Sequence, residues 1–326
     1  MTADTRGFVI PIAQSIIIGI VFVTVLLVGY RSPAPDHVRV AVVASPAATQ
    51  SLQRDLDRSR PGGFVLRAES AVDATAQLRS GTVFGVIEPG PSARLLYAGA
   101  NGPTVTASLI GTFGALFAKS GTALTSVDLV PAGINDSAGL PLFYMVFGVV
   151  LASYLYVISS FSMARDASAA CHLLGGLIVA FVLGLAAALI AGYGTGTIDG
   201  NVARVAVILG LVSVAVNSTT YLCLRVAGLA GNLLSTVIVI VLGSASGGAL
   251  AAQYLPAWLG ALRPVLPMGV ALDGIRRVVY FDDVDPLLCV AVLVGWVVVP
   301  QLMAAAVLVA CRHKVESSHV LGGGAA

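Results

Sequence analysis

Residues 8–30 (FVIPIAQSIIIGIVFVTVLLVGY) carry no charged side chain, over a length that matches the ~20 residues a helix needs to cross a bilayer's hydrocarbon core. In lipid such a run has one backbone solution, the helix, because no water is present to satisfy N–H and C=O groups left unpaired. The apolar core is too long for a cleaved signal peptide, and Tyr30-Arg31 follows it without a small-residue cleavage site. It reads as an uncleaved first span. Comparable runs recur at 139–163, 172–193, 202–224, 232–251 and 286–311. The fold class expected is therefore a mainly α, polytopic membrane protein with six transmembrane helices. Composition agrees: 57% of the 326 residues are hydrophobic and 10% charged, where a soluble domain carries roughly a quarter charged residues.

Between the first and second runs the character changes. Residues 31–138 hold nine of the 18 basic residues. Strand patterns at His37–Val43, Phe64–Arg67, Val83–Ile87 and Ala93–Tyr97 alternate with helical patterns at Gln50–Ser59, Val72–Arg79 and about Val105–Lys119. Alternation of this kind predicts a small α/β domain, and about 100 residues suffice for a modest core of its own.

Within the apolar runs, Pro141 sits near the start of the second and Pro300 is expected to bend the sixth. Along the third, Gly176, Ala180, Gly184, Ala188 and Gly192 recur every four residues, a stripe that lets another helix pack closely. The tail 312–326 (RHKVESSHVLGGGAA) lacks periodicity and is expected to be disordered.

The charge inventory excludes several functions. A net charge of +2 with no basic tract gives no footing for nucleic acid. Cys171, Cys223, Cys289 and Cys311 all fall in or beside apolar runs and offer neither a disulfide frame nor zinc spacing. Asp282, Asp283 and Asp285 lack the further ligands of a calcium loop and read as a solvated turn. No Asp, Glu, Lys or His lies mid-span, which leaves no buried carboxylate to drive a proton pump and no constellation for an intramembrane enzyme. No cofactor is expected. A GxxxxGK[ST] phosphate loop is missing as well, so uphill transport would need a partner's energy.

The stretch from Gly243 to Phe281 (GSASGGALAAQYLPAWLGALRPVLPMGVALDGIRRVVYF) holds two pieces too short to span and too apolar for a loop. Each opens on Leu-Pro, at Pro256 and Pro267, and proline suits the first position of a helix. They are expected to be interfacial or re-entrant helices within 255–281. The small-residue run, the two Leu-Pro starts and the ending Arg276-Arg277…Tyr280-Phe281 together resemble the ABC type-2 transporter permeases. The likeness is to the bacterial branch that includes the phage-infection-protein (Pip) group. The order Leu78…Gly81…Val83-Phe84-Gly85-Val86-Ile87-Glu88-Pro89 resembles the extracytoplasmic insertion of that branch. The resemblance implies a bacterial plasma-membrane protein with both termini cytoplasmic and residues 31–138 outside. It further implies a homo- or heterodimer of permeases, a separate ATP-binding subunit, and export of a hydrophobic or lipid-like substrate. The alternative is a non-transporting scaffold or receptor whose outer domain binds a secretion or cell-envelope partner.

Three groups of residues are singled out. Ser153, Tyr154, Asn217, Thr219, Thr220 and Gln301 are the candidates among the polar residues within spans; they could line a substrate path or simply hydrogen-bond helix to helix. Arg165 and Asp166, in the short loop between the second and third spans, are the positions for coupling to an ATPase. Asp273 lies three and four residues before Arg276 and Arg277, a spacing suited to pairing on one helix; contact of the two arginines with lipid headgroups is the other reading. Asp199 and Arg204 could pair at the end of the fourth span.

Overall fold

The computed structural model describes residues 3–31, 33–136, 139–164, 167–248, 250–282 and 285–322, with side chains from Ile12 to Val307, Leu229 excepted. The chain is mostly helical, and five segments are long and apolar enough to cross a membrane: Ile12–Tyr30, Leu140–Met163, Ala169–Gly194, Val202–Gly228 and Leu287–Val307. This is a polytopic membrane protein. The first helix, α1 (Ala3–Tyr30), precedes a five-stranded sheet.

That sheet forms from β1 (Val38–Val42), α2 (Pro46–Ser59), β2 (Phe64–Ala68), α3 (Ala71–Arg79), β3 (Gly85–Glu88), β4 (Ala93–Tyr97), α4 (Pro103–Lys119) and β5 (Leu124–Asp128). The strand order is β2-β1-β3-β4-β5, parallel except where β3 meets β4. Side-chain alternation assigns each face its cover. Val38, Val40 and Val42 point into one core with Leu56 of α2 and Leu109 and Phe113 of α4. Ala41, Val86 and Leu96 point into the other with Ala74 and Leu78 of α3. Two successive right-handed crossovers that turn opposite ways from β1 produce this result, since each must pack its helix on a different face. Ser45 and Ser70 cap α2 and α3, their hydroxyls accepting from the Ala48 and Asp73 amides. β5 is an edge strand that the sequence pattern did not reveal: none of LTSVD is fully buried, Thr125 and Asp128 are exposed, and it carries little apolar alternation.

After the sheet the chain enters α5 (Leu140–Met163) and α6 (Ala169–Leu189), the latter ending in a π-helical turn at Ile190–Gly194. α7 (Val202–Ser235) packs against both. The predicted small-residue stripe lies in this contact. Gly176, Ala180, Gly184 and Ala188 are buried, and a Cβ at Gly184 would stand 2.8 Å from the Ala206 carbonyl oxygen and the Gly210 nitrogen. Only hydrogen fits there.

The predicted fifth span, 232–251, is shorter than expected and falls outside the five. α7 breaks at Gly228 (φ 52°, ψ −120°), and the following apolar helix, Ala230–Ser246, is too short to rank with the five. At 1.5 Å per residue it measures about 25 Å, less than a typical hydrocarbon thickness. Its middle, Thr236–Leu242, is wound as π-helix, and α8 (Gly243–Ser246) completes it. Where it ends, Gly247 and Gly248 let other chain segments approach closely. A Cβ at Gly247 would lie 3.0 Å from Met268 Cγ and 3.2 Å from the Gly269 nitrogen, and one at Gly248 would overlap the Tyr30 hydroxyl.

The two Leu-Pro pieces are helices: α9 (Ala257–Leu262), with Pro256 at its N-cap, and α10 (Pro267–Tyr280), with proline in its first turn. α10 does not lie on an open face. Most of its residues are buried against α5, α7, α8 and the last helix. The last helix, α11 (Leu287–Gly322), contains Pro300 and runs through most of the tail expected to be disordered. Adding residues to an already nucleated helix fixes one residue per new hydrogen bond, so a polar tail without periodicity can still continue it.

Candidate functional site: a charge cluster beneath the sheet

Four of the six residues offered for a substrate path bond helix to helix. The Ser153 hydroxyl donates to the Val149 carbonyl (2.6 Å) and lies 2.6 Å from the Ser213 hydroxyl of α7. Tyr154 donates to Asn232 Oδ1 (2.9 Å), joining α5 to the far end of α7. Asn217 Nδ2 donates to the Gly176 carbonyl (3.2 Å), and Gln301 Nε2 to the Ser218 hydroxyl (3.1 Å). Thr219 bonds back to the Ala215 carbonyl of its own helix (2.8 Å). Thr220 is fully buried and its hydroxyl finds no partner among the described residues. Asn217 and Gln301 also border a cavity of about 20 Å³, room for a single water. Arg165 and Asp166 lie outside the described residues.

Two larger clefts are apolar and flank α5 near the sheet. One, of about 520 Å³, lies between α1 and α5 and is lined by Phe22, Leu26, Phe143 and Phe147. The other, of about 470 Å³, lies between α5 and α6 and is lined by Met145, Leu183, Ala187 and Ile190. Tyr144 borders both.

The polar chemistry is concentrated where α10 meets the sheet unit. Arg263, with a side chain 1% exposed, closes a fork on Asp273: Nε to Oδ2 at 2.9 Å and Nη2 to Oδ1 at 2.7 Å. Its third nitrogen, Nη1, donates to the carbonyls of Ser246 (2.9 Å), Gly248 (3.3 Å) and Leu250. It thereby meets the free carbonyls where the short helix ends, which is the negative end of that helix. Tyr30 donates to the neighbouring Ala245 carbonyl (3.0 Å), tying α1 to the same point. On the other side of α10, Tyr280 donates to Asp136 Oδ2 (2.7 Å), and Asp136 is 1% exposed.

The expected pairing of Asp273 with Arg276 and Arg277 is therefore corrected, since Asp273 pairs with Arg263 from the preceding turn. A guanidinium removed from water must be compensated, whereas Arg277, exposed, is solvated without a partner. Neither Arg276 nor Arg277 makes an ion pair among the described residues, and neither do the exposed Asp199 and Arg204. Arg276 is 6% exposed, and its Nη2 has no hydrogen-bond partner among the described residues.

These surroundings shift the cluster's protonation equilibria. Burial raises the Asp136 carboxyl above its ordinary value, with the Tyr280 hydroxyl, the Leu142 amide and Arg276 opposing. Burial, together with its bond to Asp136, raises Tyr280. Burial would raise Asp273 as well, but Arg263 outweighs it and holds the carboxyl below the usual range. Burial and the nearby Arg263 lower Arg276.

The sheet unit is seated on this cluster from both faces. Ala251 and Tyr254 enter the core under α2 and α4, and Phe281 enters the core under α3. The Asp36 amide donates to the Gln253 carbonyl (2.8 Å), and the Asp282 amide to the Arg79 carbonyl (3.0 Å). Sequence reasoning singled out Asp273, Arg276 and Arg277 but missed Arg263, Asp136 and Tyr280. Arg263 had one signal: it is the lone charge between Gln253 and Asp273 in an apolar stretch. Asp136 had none, because its partner lies 144 positions away. No protein-family model matches the chain, and no curated protein matches it.

Proposed function

We propose that the chain is the membrane-spanning permease subunit of an ABC exporter, moving a hydrophobic or lipid-like substrate and powered by a separate ATP-binding subunit. The observation that carries the reading is the distribution of polarity. Apolar clefts of about 520 and 470 Å³ flank α5, while the charges gather at the sheet end of the helices, in Arg263, Asp273, Arg276 and Asp136. Apolar grooves suit an amphiphile's tails, and an interior without mid-span charge leaves the driving force to a partner. In this reading the helix Ala230–Ser246 is the returning limb. It leaves α7 at Gly228 and ends beside Tyr30 on the sheet side, so the chain makes six passages and both termini share the cytoplasmic face. The sheet unit then lies outside, and two such chains form the working permease in the bacterial plasma membrane.

Affinity purification in mild detergent tests the proposal: an ATP-binding subunit is expected to come with the chain, and ATP is expected to drive substrate efflux from vesicles holding both. Proton-coupled flux by the chain alone would overturn it. One observation favours a second reading, a scaffold or receptor. The link between α5 and α6 is only residues 164–168, a small surface for an ATPase to grip. Co-purification of a cell-envelope partner without any ATP-binding subunit would select that reading.

A further inference from the structure

Between the sheet unit and α10 lies a cleft of about 110 Å³, bordered by Asn101, Gln253, Asp273, Arg276, Arg277 and Phe281. That is room for several waters or one phosphate-sized group. Its polar lining is unevenly satisfied. Asp273 is held by the Arg263 fork, so its negative charge is already compensated. Arg276 is more than nine-tenths buried yet has no ion pair, and its Nη2 has no hydrogen-bond partner, among the described residues. The Asn101 Nδ2 group, across the cleft on the sheet unit, is also buried and lacks a partner. Arg277 adds a second unpaired positive charge at the exposed rim. Asp136 is the other acidic group near Arg276; its Oδ2 accepts from Tyr280, and its buried Oδ1 has no hydrogen-bond partner among the described residues.

A buried guanidinium without a partner is strongly unfavourable, and buried donors in native proteins are nearly always met. Two arginines and a neutral amide donor around one small cleft match the oxygens of a phosphate group, which guanidinium planes bind in a fork. We propose that this cleft binds a phosphate oxyanion, with Arg276 and Arg277 as the charged donors and Asn101 as the neutral one. The phosphate is either free or carried by an anionic lipid headgroup. The site does not depend on whether the chain exports anything.

The test uses the full chain in zwitterionic detergent and in lipid nanodiscs. In detergent, the melting temperature is followed against inorganic phosphate at constant ionic strength, with chloride as the control. In nanodiscs, phosphatidylcholine alone is compared with phosphatidylcholine plus phosphatidylglycerol, and retained lipid is counted by native mass spectrometry. Binding is expected in at least one arm, weakened about tenfold or more in R276Q and in R277Q, and unchanged in R94Q, whose arginine is a surface residue paired to Glu88. Stabilisation by inorganic phosphate identifies a free anion as sufficient; retention of phosphatidylglycerol without a phosphate response identifies the headgroup. R277Q, altered only at the exposed rim, carries the test if R276Q does not fold. The proposal is overturned if neither arm responds, or if R277Q binds as tightly as the wild type.

Discussion

Arg263 shows what a single buried charge requires. Its three guanidinium nitrogens make five hydrogen bonds, to one carboxylate and three carbonyls, and the residue is 1% exposed. Asp273→Ala leaves that guanidinium uncompensated; because the Asp273 side chain is 41% exposed, water screens the pair and the expected cost is about 2 kcal/mol, below that of a fully buried pair. In a double-mutant cycle with Arg263→Met the coupling should reach about 2 kcal/mol. Denaturation by sodium dodecyl sulfate measures both, and additivity of the two changes would count against the pair. Asp136 behaves differently. Its native carboxyl is raised above the ordinary 3.8 by burial, so the folded chain holds that proton to a higher pH than the unfolded chain does. Its contribution to stability is full below the ordinary value and is lost as pH rises through the raised one. Asp136→Asn is therefore expected to melt above the wild type at neutral pH, with the gap closing in acid. A gap that stays constant with pH would show that Asp136 does not titrate in this way. Asp273, lowered from 3.8, has the opposite sign: its contribution is present above the ordinary value and disappears as pH falls through the lowered one.

Among the elements, the α6–α7 contact was legible in advance because its cause is local. Four-residue spacing puts Gly176, Ala180, Gly184 and Ala188 on one face of a helix, whatever that helix meets. Gly184→Leu drives a side chain into backbone 2.8 Å away. It should destabilise the chain by about 1–3 kcal/mol, as overpacking does, and the shift in unfolding midpoint reports it. α10 was legible as a helix but not as a buried one. Its surroundings come from α5, α7 and α11, the first two well before it in the chain, and Phe281, just past its end, is the plug into the sheet unit, packed on Gly81 in the left-handed conformation (φ +69°). Phe281→Ala, at about 3–5 kcal/mol for a buried phenylalanine, should loosen the sheet unit before the spans. Limited proteolysis would detect this as faster cleavage between the two, and equal protection in both proteins would mean that Phe281 does not seat the unit.

For the molecule as a whole, the sidedness in the proposed function predicts a labelling pattern. Cys171 is free and exposed at the start of α6, at the end of the helices away from the sheet. Val72 is 79% exposed on the sheet unit. In intact cells a membrane-impermeant maleimide should label Val72→Cys in a Cys171→Ser background, and should label Cys171 only after permeabilisation. The reverse pattern would invert the topology. What the amino-acid order decides alone is whatever depends on near neighbours: apolar runs long enough for lipid, alternation that makes strands, prolines and capping serines that start helices. The sheet's strands β1 to β4 and five of the six expected spans were readable for that reason. Only the tertiary structure decides the rest. It packs α10 and Tyr30 against Gly247 and Gly248, where those segments, remote in sequence, stand in the place a side chain would take. It gives Asp273 to Arg263 rather than to its own helix, because desolvation makes the most buried cation the one that must be neutralised. It brings Asp136 to Tyr280, because burial leaves a carboxylate no water to bond and the fold alone determines which donor it meets.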